Sequence, residues 1–281
     1  LCWEWRIWRY AMMKDKRVLL TGASSGLGAA LAYALAEQGA RLALFATNLE
    51  RLEGVAEKCK ELGAEVLVHA GDVAEASDVQ AAVQRAVEAW DGIDVVIANA
   101  GISMWVRFEE VEDPAVFRRL MDVNYMGVVH AAYAALPYLK DSRGLFVAVS
   151  SVQGKVPVPL HSGYVASKHA VQGFCDTLRL ELLGTGVDVM VVLPHWLRGT
   201  NLRQSALGKD GQALGATSRR HSSESITIEA ASQQIVQSML KRSRQLVMPW
   251  KLKLLTAVYA LRPQWAEAVI RRALRKQDLG K

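Results

Sequence analysis

The chain has 281 residues, 51% of them hydrophobic, which is enough to bury the core of one α/β domain or two small ones. Its three cysteines, at positions 2, 59 and 175, form no CxxC pair, which argues against a disulfide framework or a zinc site and for a reducing compartment. The net charge is +6, but residues 241–281 alone carry an excess of nine positive charges, so the basic tail rather than the body points to an anionic surface or partner.

The N-terminal segment, residues 1–15, is treated as an extension whose status is open. It carries Trp3, Trp5, Trp8 and Tyr10 and lacks the small-residue cleavage site of a secretory signal. Trp favours the membrane boundary, which is consistent with a short interfacial anchor. The alternative is a leader upstream of a true start at Met12 or Met13. The sequence contains no run of about 20 uncharged apolar residues, so no membrane-spanning helix is predicted.

From residue 16 onward, short apolar runs alternate with helical stretches. This alternation predicts right-handed βαβ crossovers and an α/β fold, a doubly wound (Rossmann) parallel sheet with helices on both faces. We expect one domain over residues 16–249, with a substrate loop at 194–227. The predicted strands lie at 18–20, 42–45, 66–68, 95–98, 145–149 and 189–193.

A glycine cluster follows the first predicted strand and precedes an Ala-rich helix. Such glycines allow a tight turn and close backbone approach to a pyrophosphate, and the helix N-terminus presents free N–H groups to it. A merely tight turn is the plain alternative. The same letters also fit the G-x-S-x-G elbow of α/β-hydrolases with Ser24 as nucleophile, but no acid and His pair stands out to complete it. The cluster comprises Gly22, Ser24, Ser25, Gly26, Leu27 and Gly28.

Polar and small residues follow the next strands, at the edge where ligands of such sheets bind. Asp72 is suited to accept a hydrogen bond from an adenine amino group, and Ala100 and Gly101 let a flat cofactor approach the backbone. Val73 and Asn99 adjoin them. Each of these residues is, taken singly, more typical of a turn.

A hydroxyl, a phenol and an ammonium come together between residues 150 and 168. Ser151 follows a buried strand, and Tyr164 and Lys168 share a face of the next helix because they are four residues apart. An ammonium near a phenol lowers the pKa of the phenol, so Tyr164 is suited to act as acid or base. Ser151 is suited to hydrogen-bond the reacting oxygen. An ordinary amphipathic helix is the alternative.

Taken together, TGASSGLG at 21–28, Asp72-Val73, NAG at 99–101, Asn124, Ser151 and YVASK at 164–168 resemble the short-chain dehydrogenase/reductase family. Runs such as SSVQGK also resemble its branch of membrane-associated reductases of steroids or lipids. The resemblance implies a seventh strand near 245–248. It also implies that Tyr164 is the acid/base, Ser151 orients substrate, Lys168 binds the nicotinamide ribose and Asn124 anchors a water.

The chain departs from the family pattern after the sixth strand, where it reads Pro194-His195-Trp196 and reaches Thr200 one position late. Pro194 and Thr200 are expected near the nicotinamide, and His195 either touches substrate or only alters the loop. Neither an acid nor an Arg follows the second strand. Thr47 and Asn48 can donate to a phosphate and Arg51 is close in sequence, so NADP is favoured and NAD is left open. The alternative is that Asn48 simply caps the next helix.

Two C-terminal segments are expected to control substrate access to the site and to bind a membrane or another subunit. Residues 201–227, rich in Gly, Ser and Gln, predict a mobile lid. Residues 250–281 predict basic amphipathic helices divided at Pro263, which fit an anionic bilayer, a subunit interface or a solvated tail. Neither a metal nor a nucleic acid is expected.

We expect a cytoplasmic, homodimeric or homotetrameric oxidoreductase of an apolar hydroxyl or carbonyl compound, with peripheral membrane contact left open. The alternatives are a non-catalytic nucleotide-binding scaffold and, behind it, a hydrolase.

Overall fold

A computed structural model describes residues 13–215 and 225–275. Residues 1–12 of the predicted N-terminal extension therefore lie outside the described residues. Residues 13–15 belong to the folded body, because the Met13 side chain is buried in the core and the Asp15 N–H donates to the Gly39 carbonyl oxygen at 2.9 Å. The domain boundaries predicted from the sequence otherwise stay predictions.

Strands and helices alternate along the described chain, as the apolar runs predicted. The elements are β1 Arg17–Thr21, α1 Gly26–Ala36, β2 Arg41–Ala46, α2 Leu49–Glu61, β3 Val66–Ala70, α3 Ala76–Trp90, β4 Val95–Ala98, α4 Ala115–Met121, α5 Gly127–Ser142, β5 Leu145–Val149, α6 Ser162–Glu181, β6 Asp188–Pro194, β7 Leu197–Arg198, β8 Ile226–Thr227, α7 Ile228–Leu240, β9 Gln245–Met248, α8 Leu252–Leu261 and α9 Pro263–Arg275.

Seven of these strands form one parallel sheet in the order β3-β2-β1-β4-β5-β6-β9. The doubly wound fold and its seventh strand are thereby confirmed. Because the order of the strands reverses between β1 and β4, their carboxyl ends flank a crevice that the crossovers leave open. β7 and β8 pair separately beside the main sheet.

The sheet is buried on both faces, which explains why its strands are apolar throughout. In β1, Val18 and Leu20 pack into one core layer and Leu19 into the other. Helices α1, α2 and α7 cover the first layer, and α3, α5 and α6 cover the second. Two closely packed layers hold the strand ends in fixed positions, which is what a site built at those ends requires.

Asn124 lies in a π-turn over Asp122–Met126, between α4 and α5. Such a turn inserts one extra residue and re-aims the side chains within it, and it is often found at functional sites. Asn124 is fully buried rather than exposed. The π-turn thus directs this amide into the protein, toward α6.

The two C-terminal helices predicted from the sequence are present as α8 and α9, with Pro263 as the first residue of α9. Proline is tolerated there because the first N–H of a helix has no partner within it. Among the residues that the structure describes, no helix is both long enough and apolar enough to cross a lipid bilayer.

Candidate active site

A cleft with a volume of about 410 Å³ runs along the carboxyl ends of the central strands. Nearly all the residues singled out from the sequence line it, and only Asn48 and Asn124 do not. Those that line it are Gly22, Ser24, Ser25, Gly26, Leu27, Gly28, Thr47, Asp72, Val73, Asn99, Ala100, Gly101, Ser151, Tyr164, Lys168, Pro194, His195 and Thr200.

The glycine loop, between β1 and α1, lies within this cleft, between its β2 side and its β5 side. Gly22 has a φ of +66°, a left-handed conformation that favours glycine, and a Cβ on Gly28 would collide with the Gly22 carbonyl oxygen. Ser25 is the N-cap of α1, but its side chain does not cap the helix. The loop therefore turns tightly and brings the free N–H groups of α1 to the cleft, an arrangement that fits a dinucleotide pyrophosphate.

Thr21 braces this loop, a role that the sequence did not suggest. Its hydroxyl oxygen accepts hydrogen bonds from the backbone N–H groups of Asn99 at 3.0 Å and Ala100 at 3.2 Å. The Asn99 side-chain amide in turn donates to the carbonyl oxygens of Thr21 and Gly22. The ends of β1 and β4 are thus fastened together at the strand reversal. A hydroxyl at the last position of the strand was the only signal in the sequence.

The acid/base group lies farther along the cleft, where β5 meets α6. Tyr164 and Lys168 are only 7% and 3% exposed. The Lys168 ammonium donates to the Val149 carbonyl oxygen at 2.9 Å and lies 5.8 Å from the centre of the Tyr164 ring. The Ser151 hydroxyl donates to the Pro194 carbonyl oxygen at 3.3 Å and lines the same cleft as Tyr164. The three functional groups are therefore held together out of bulk water.

Burial sets the protonation of this group. It raises the pKa of Tyr164 to about 12, although the hydrogen bond with Ser151 acts the other way, and it lowers the pKa of Lys168 to about 8. The pKa of Tyr164 thus lies above its ordinary value, because desolvation of the phenolate is the largest effect. The lowering contribution expected from Lys168 stays a prediction. At neutral pH, Tyr164 is a neutral phenol that can donate its proton.

Asn124 supports the acid/base group from behind instead of lining the cleft. Its Oδ1 accepts from the Ile102 N–H at 2.8 Å, while Nδ2 donates to the Ile102 carbonyl oxygen and to the Ser167 hydroxyl, each at 2.9 Å. Both hydrogens of the amide are therefore engaged within the protein. The water-anchoring role implied by the resemblance stays a prediction.

Two further serines, overlooked in the sequence, connect the backbone of α6 to its surroundings. The Ser167 hydroxyl donates to the Tyr164 carbonyl oxygen at 2.8 Å, and the Ser150 hydroxyl donates to the Lys168 carbonyl oxygen at 3.1 Å. Both side chains are buried. These bonds fix the turn of helix on which Tyr164 and Lys168 stand.

The two candidates for a phosphate contact, Thr47 and Asn48, follow β2 and are placed differently by the structure. Thr47 lines the cleft. Asn48 instead caps α2, since its side-chain oxygen accepts from the Arg51 N–H at 2.9 Å. Asp72 also lines the cleft, with one carboxylate oxygen accepting from the Ala74 N–H at 2.9 Å.

The run Pro194-His195-Trp196 after β6, which departs from the family pattern, places bulky side chains over the cleft. His195 lines it, and its backbone N–H donates to the Met248 carbonyl oxygen at 2.8 Å. Thr200, despite its displaced position, lies against the glycine loop, where a Cβ on Gly26 would be 3.5 Å from its methyl group. The sequence did not suggest a role for Trp196, which also lines the cleft.

Trp105, Trp196 and Arg203 form what we call the aromatic clamp. The Arg203 guanidinium carbon lies 4.6 Å from the centre of the Trp196 ring and 5.1 Å from that of Trp105. The buried His161 contacts both indoles edge-on. The clamp and His161 join three segments that are distant in sequence, at residues 105, 161 and 196–203, so no local pattern indicated the cluster.

The segment predicted as a mobile lid is fastened over residues 201–215. The Trp105 N–H donates to the Leu207 carbonyl oxygen at 3.0 Å, and the Leu207 N–H donates to the Ser103 carbonyl oxygen at 2.8 Å. Lys209 pairs with Glu112 at 2.8 Å. Within this segment Asn201, Leu202, Arg203 and Ser205 line the cleft, and residues 216–224 lie outside the described residues. The mobility of the lid stays a prediction.

A glycine loop at a strand reversal, joined by one cleft to a buried Ser-Tyr-Lys group, defines a dinucleotide-binding protein of the oxidoreductase class. The sequence profile described as short chain dehydrogenase matches residues 16–210. The chain belongs to the short-chain dehydrogenase/reductase family, whose members are oxidoreductases of alcohol and carbonyl groups and bind a nicotinamide cofactor. The family prediction is confirmed, and it speaks against the hydrolase alternative.

Individual proteins agree with this assignment. An 11-beta-hydroxysteroid dehydrogenase of Pinus massoniana is 36% identical over 213 residues, covering 75% of this chain. The chain spans 60% of the length of that relative. An alcohol dehydrogenase from the archaeon Thermococcus sibiricus, complexed with 5-hydroxy-NADP, is 28% identical, with a TM-score of 0.69 and coverage of 83% of this chain and 94% of that one.

A third comparison concerns the fold alone. A short-chain dehydrogenase/reductase of Burkholderia phymatum in complex with NAD is 22% identical, has a TM-score of 0.77, and matches over 90% of this chain and 95% of its own. These two solved structures thus hold different nicotinamide cofactors.

Proposed function

We propose that the protein is an NADP(H)-preferring oxidoreductase that interconverts a hydroxyl and a carbonyl group on an apolar small molecule. The observation that carries the proposal is the burial of Ser151, Tyr164 and Lys168 together in the cleft that also contains the glycine loop. A nicotinamide bound there would supply or accept the hydride. The side chains would position the substrate and move the proton.

In the reducing direction, the neutral Tyr164 phenol donates its proton to the substrate oxygen. The Ser151 hydroxyl hydrogen-bonds the same oxygen as negative charge develops on it. Lys168, still largely an ammonium at neutral pH because its pKa is about 8, favours the phenolate left on Tyr164. In the oxidising direction, the phenolate accepts the proton.

The preference for NADP rests on the charges beyond β2. No acidic residue occupies Ala46-Thr47-Asn48, so nothing there would repel a 2′-phosphate. Thr47 lines the cleft and Arg51 is exposed in the first turn of α2. Thr47, Arg51 and Asn48, whose cap uses only the side-chain oxygen and not the donating amide nitrogen, are the residues proposed to contact the phosphate.

The cofactor preference is tested by comparing kcat/KM for NADPH and NADH. We expect Arg51→Glu to reduce the NADPH/NADH ratio by about tenfold or more, because it replaces an attraction by a repulsion. Lys60→Glu, also on α2, is the matched control and should leave the ratio unchanged. A wild-type ratio that favours NADH would show the preference to be wrong.

An apolar substrate is supported by the apolar side chains of Ile102, Val123, Trp196 and Leu202, which are among the residues that line the cleft. Measuring NADPH oxidation with a panel of ketones, aldehydes and quinones, against Tyr164→Phe as the blank, tests the activity. Cofactor binding with no turnover of any compound would favour the scaffold alternative.

We also propose a cytoplasmic homodimer or homotetramer that contacts membranes peripherally through α8 and α9. Oligomers are typical of the family. Sedimentation velocity tests the oligomeric state.

A further inference from the structure

Helix α8 carries large apolar side chains on its outward side. Trp250, just before the helix, is 73% exposed, and Leu254 and Leu261 are 71% and 79% exposed. Positions four and seven residues apart lie on one side of a helix. Trp265 lies in α9, beyond the break between the two helices at Arg262, and is 70% exposed as well. We call these four residues the outer stripe.

The opposite side of α8 is already used for packing. Leu252, Leu255 and Tyr259 pack against the core layer that lies under α3, α5 and α6. The helix is therefore apolar on two sides, and folding of the domain explains only one of them. An exposed apolar row of this kind is typical of a surface that binds a partner.

The charges around the outer stripe indicate the kind of partner. Lys251, Lys253 and Arg262 are exposed beside it, and Arg271 and Arg272 are exposed on α9. Residues 249–266 contain no Asp or Glu. Indole rings favour the boundary between lipid and water, and cations beside them attract anionic headgroups.

We propose that the outer stripe docks on the surface of an anionic lipid bilayer. A second copy of the chain fits it less well, because a two-fold interface would set the same row of cations against itself. The outer stripe and an anionic lipid surface would together account for the peripheral membrane contact proposed for α8 and α9.

The outer stripe starts close to the cleft, so its docking would also affect how substrate reaches the site. β9 ends at Met248, whose carbonyl oxygen accepts from the N–H of His195, a residue that lines the cleft. Trp250 follows two residues later, so the outer stripe begins near the rim of the cleft. Docking would place that rim beside the lipid, and an apolar substrate would then pass directly from the bilayer to Tyr164. This last step rests on the proposed function.

Flotation of the full chain with vesicles tests the docking surface. The vesicles contain phosphatidylcholine alone or with about one-third phosphatidylserine, a composition that creates the negative surface potential the cations require. We expect binding to the anionic vesicles at low salt, weaker binding at high salt and little binding to the neutral ones.

Two double variants make the test specific. Leu254→Gln with Leu261→Gln should lower the partition coefficient by about tenfold or more, since both side chains would otherwise enter the interface. Leu180→Gln with Leu183→Gln alters leucines that are 67% and 74% exposed elsewhere and should bind like the wild type. Circular dichroism confirms that both variants are folded.

Three results would overturn the proposal. They are no binding of the wild type to anionic vesicles, equal binding of the two double variants, and a lower sedimentation coefficient for the Leu254/Leu261 variant, which would identify the stripe as a protein interface. Flotation requires no turnover, so a chain that floats but oxidises no NADPH would contradict only the proposed function.

Discussion

Asn124 donates a hydrogen bond from Nδ2 to the Ser167 hydroxyl at 2.9 Å, and that hydroxyl donates to the Tyr164 carbonyl oxygen at 2.8 Å. The π-turn is thereby tied to the turn of α6 that carries Tyr164 and Lys168. All three residues are buried, so no water competes for these bonds. The geometry of the acid/base group depends on a side chain that never touches the cleft.

Replacing Ser167 by Ala should therefore affect both stability and turnover. The Asn124 amide would lose one partner in a buried place, which costs about 1–3 kcal/mol of unfolding free energy. We expect kcat to fall several-fold while the affinity for cofactor changes little, because Ser167 positions Tyr164 without lining the cleft. Urea unfolding and steady-state kinetics measure the two effects. Thr177→Ala, at an exposed position of the same helix, is the control. Wild-type stability and kcat in Ser167→Ala would contradict this role.

Replacing Tyr164 by Phe should remove the proton donor and retain the ring. Turnover should fall by about 10²–10⁴, the usual contribution of a positioned acid or base. Cofactor affinity, measured by fluorescence titration, should be nearly unchanged, because the ring still fills its place. Tyr133→Phe removes a hydroxyl from a tyrosine that is 85% exposed and should behave like the wild type. Retention of full activity in Tyr164→Phe would exclude the assigned role.

The lowered pKa of Lys168 makes stability depend on pH in a defined direction. The pKa of this ammonium is about 8 in the folded protein against an ordinary value of 10.5, so between these pH values the unfolded chain binds more protons. The contribution of Lys168 to unfolding free energy must then rise with pH through this range. From about pH 7.5 to 9.5 we expect a rise of roughly 2 kcal/mol.

Tyr164, Cys59 and Cys175 have raised pKa values, so they oppose this trend at higher pH, where the folded state binds the extra protons. The contribution of Lys168 is therefore measured as the difference between the wild type and Lys168→Met in urea unfolding at each pH. That difference should increase with pH in favour of the wild type. A flat or falling difference would show that the Lys168 ammonium is not destabilised by burial.

The strand ends and the glycine loop could be predicted because each depends on local sequence. Buried parallel strands are apolar throughout, and Gly22 and Gly28 stand where only glycine fits the backbone. The direction of the pKa shift at Tyr164 could not be predicted, since it depends on how deeply the folded protein buries the phenol. The Asn48 side-chain amide suited either role, as a donor to a phosphate or as an acceptor in a helix cap, and only the bond from the Arg51 N–H to its oxygen identified the cap.

The aromatic clamp joins residues that no local sequence pattern connects, and its contribution to substrate binding can be tested. The Arg203 guanidinium contacts the rings of Trp105 and Trp196, and each such contact contributes about 0.5–2 kcal/mol. Arg203→Met keeps an unbranched apolar stem and removes the charge. Residues 201–215 should then hold Trp196 less firmly over the cleft.

We expect Arg203→Met to raise KM for the best ketone of the NADPH screen by roughly 3- to 30-fold. This range corresponds to the free energy of about one cation–π contact. The affinity for cofactor should stay close to that of the wild type, and the segment should become more susceptible to limited proteolysis. Lys209→Met breaks the exposed ion pair with Glu112 in the same segment and should cost little. If both variants raise KM equally, the wall of the cleft depends on the loop as a whole and not on the clamp.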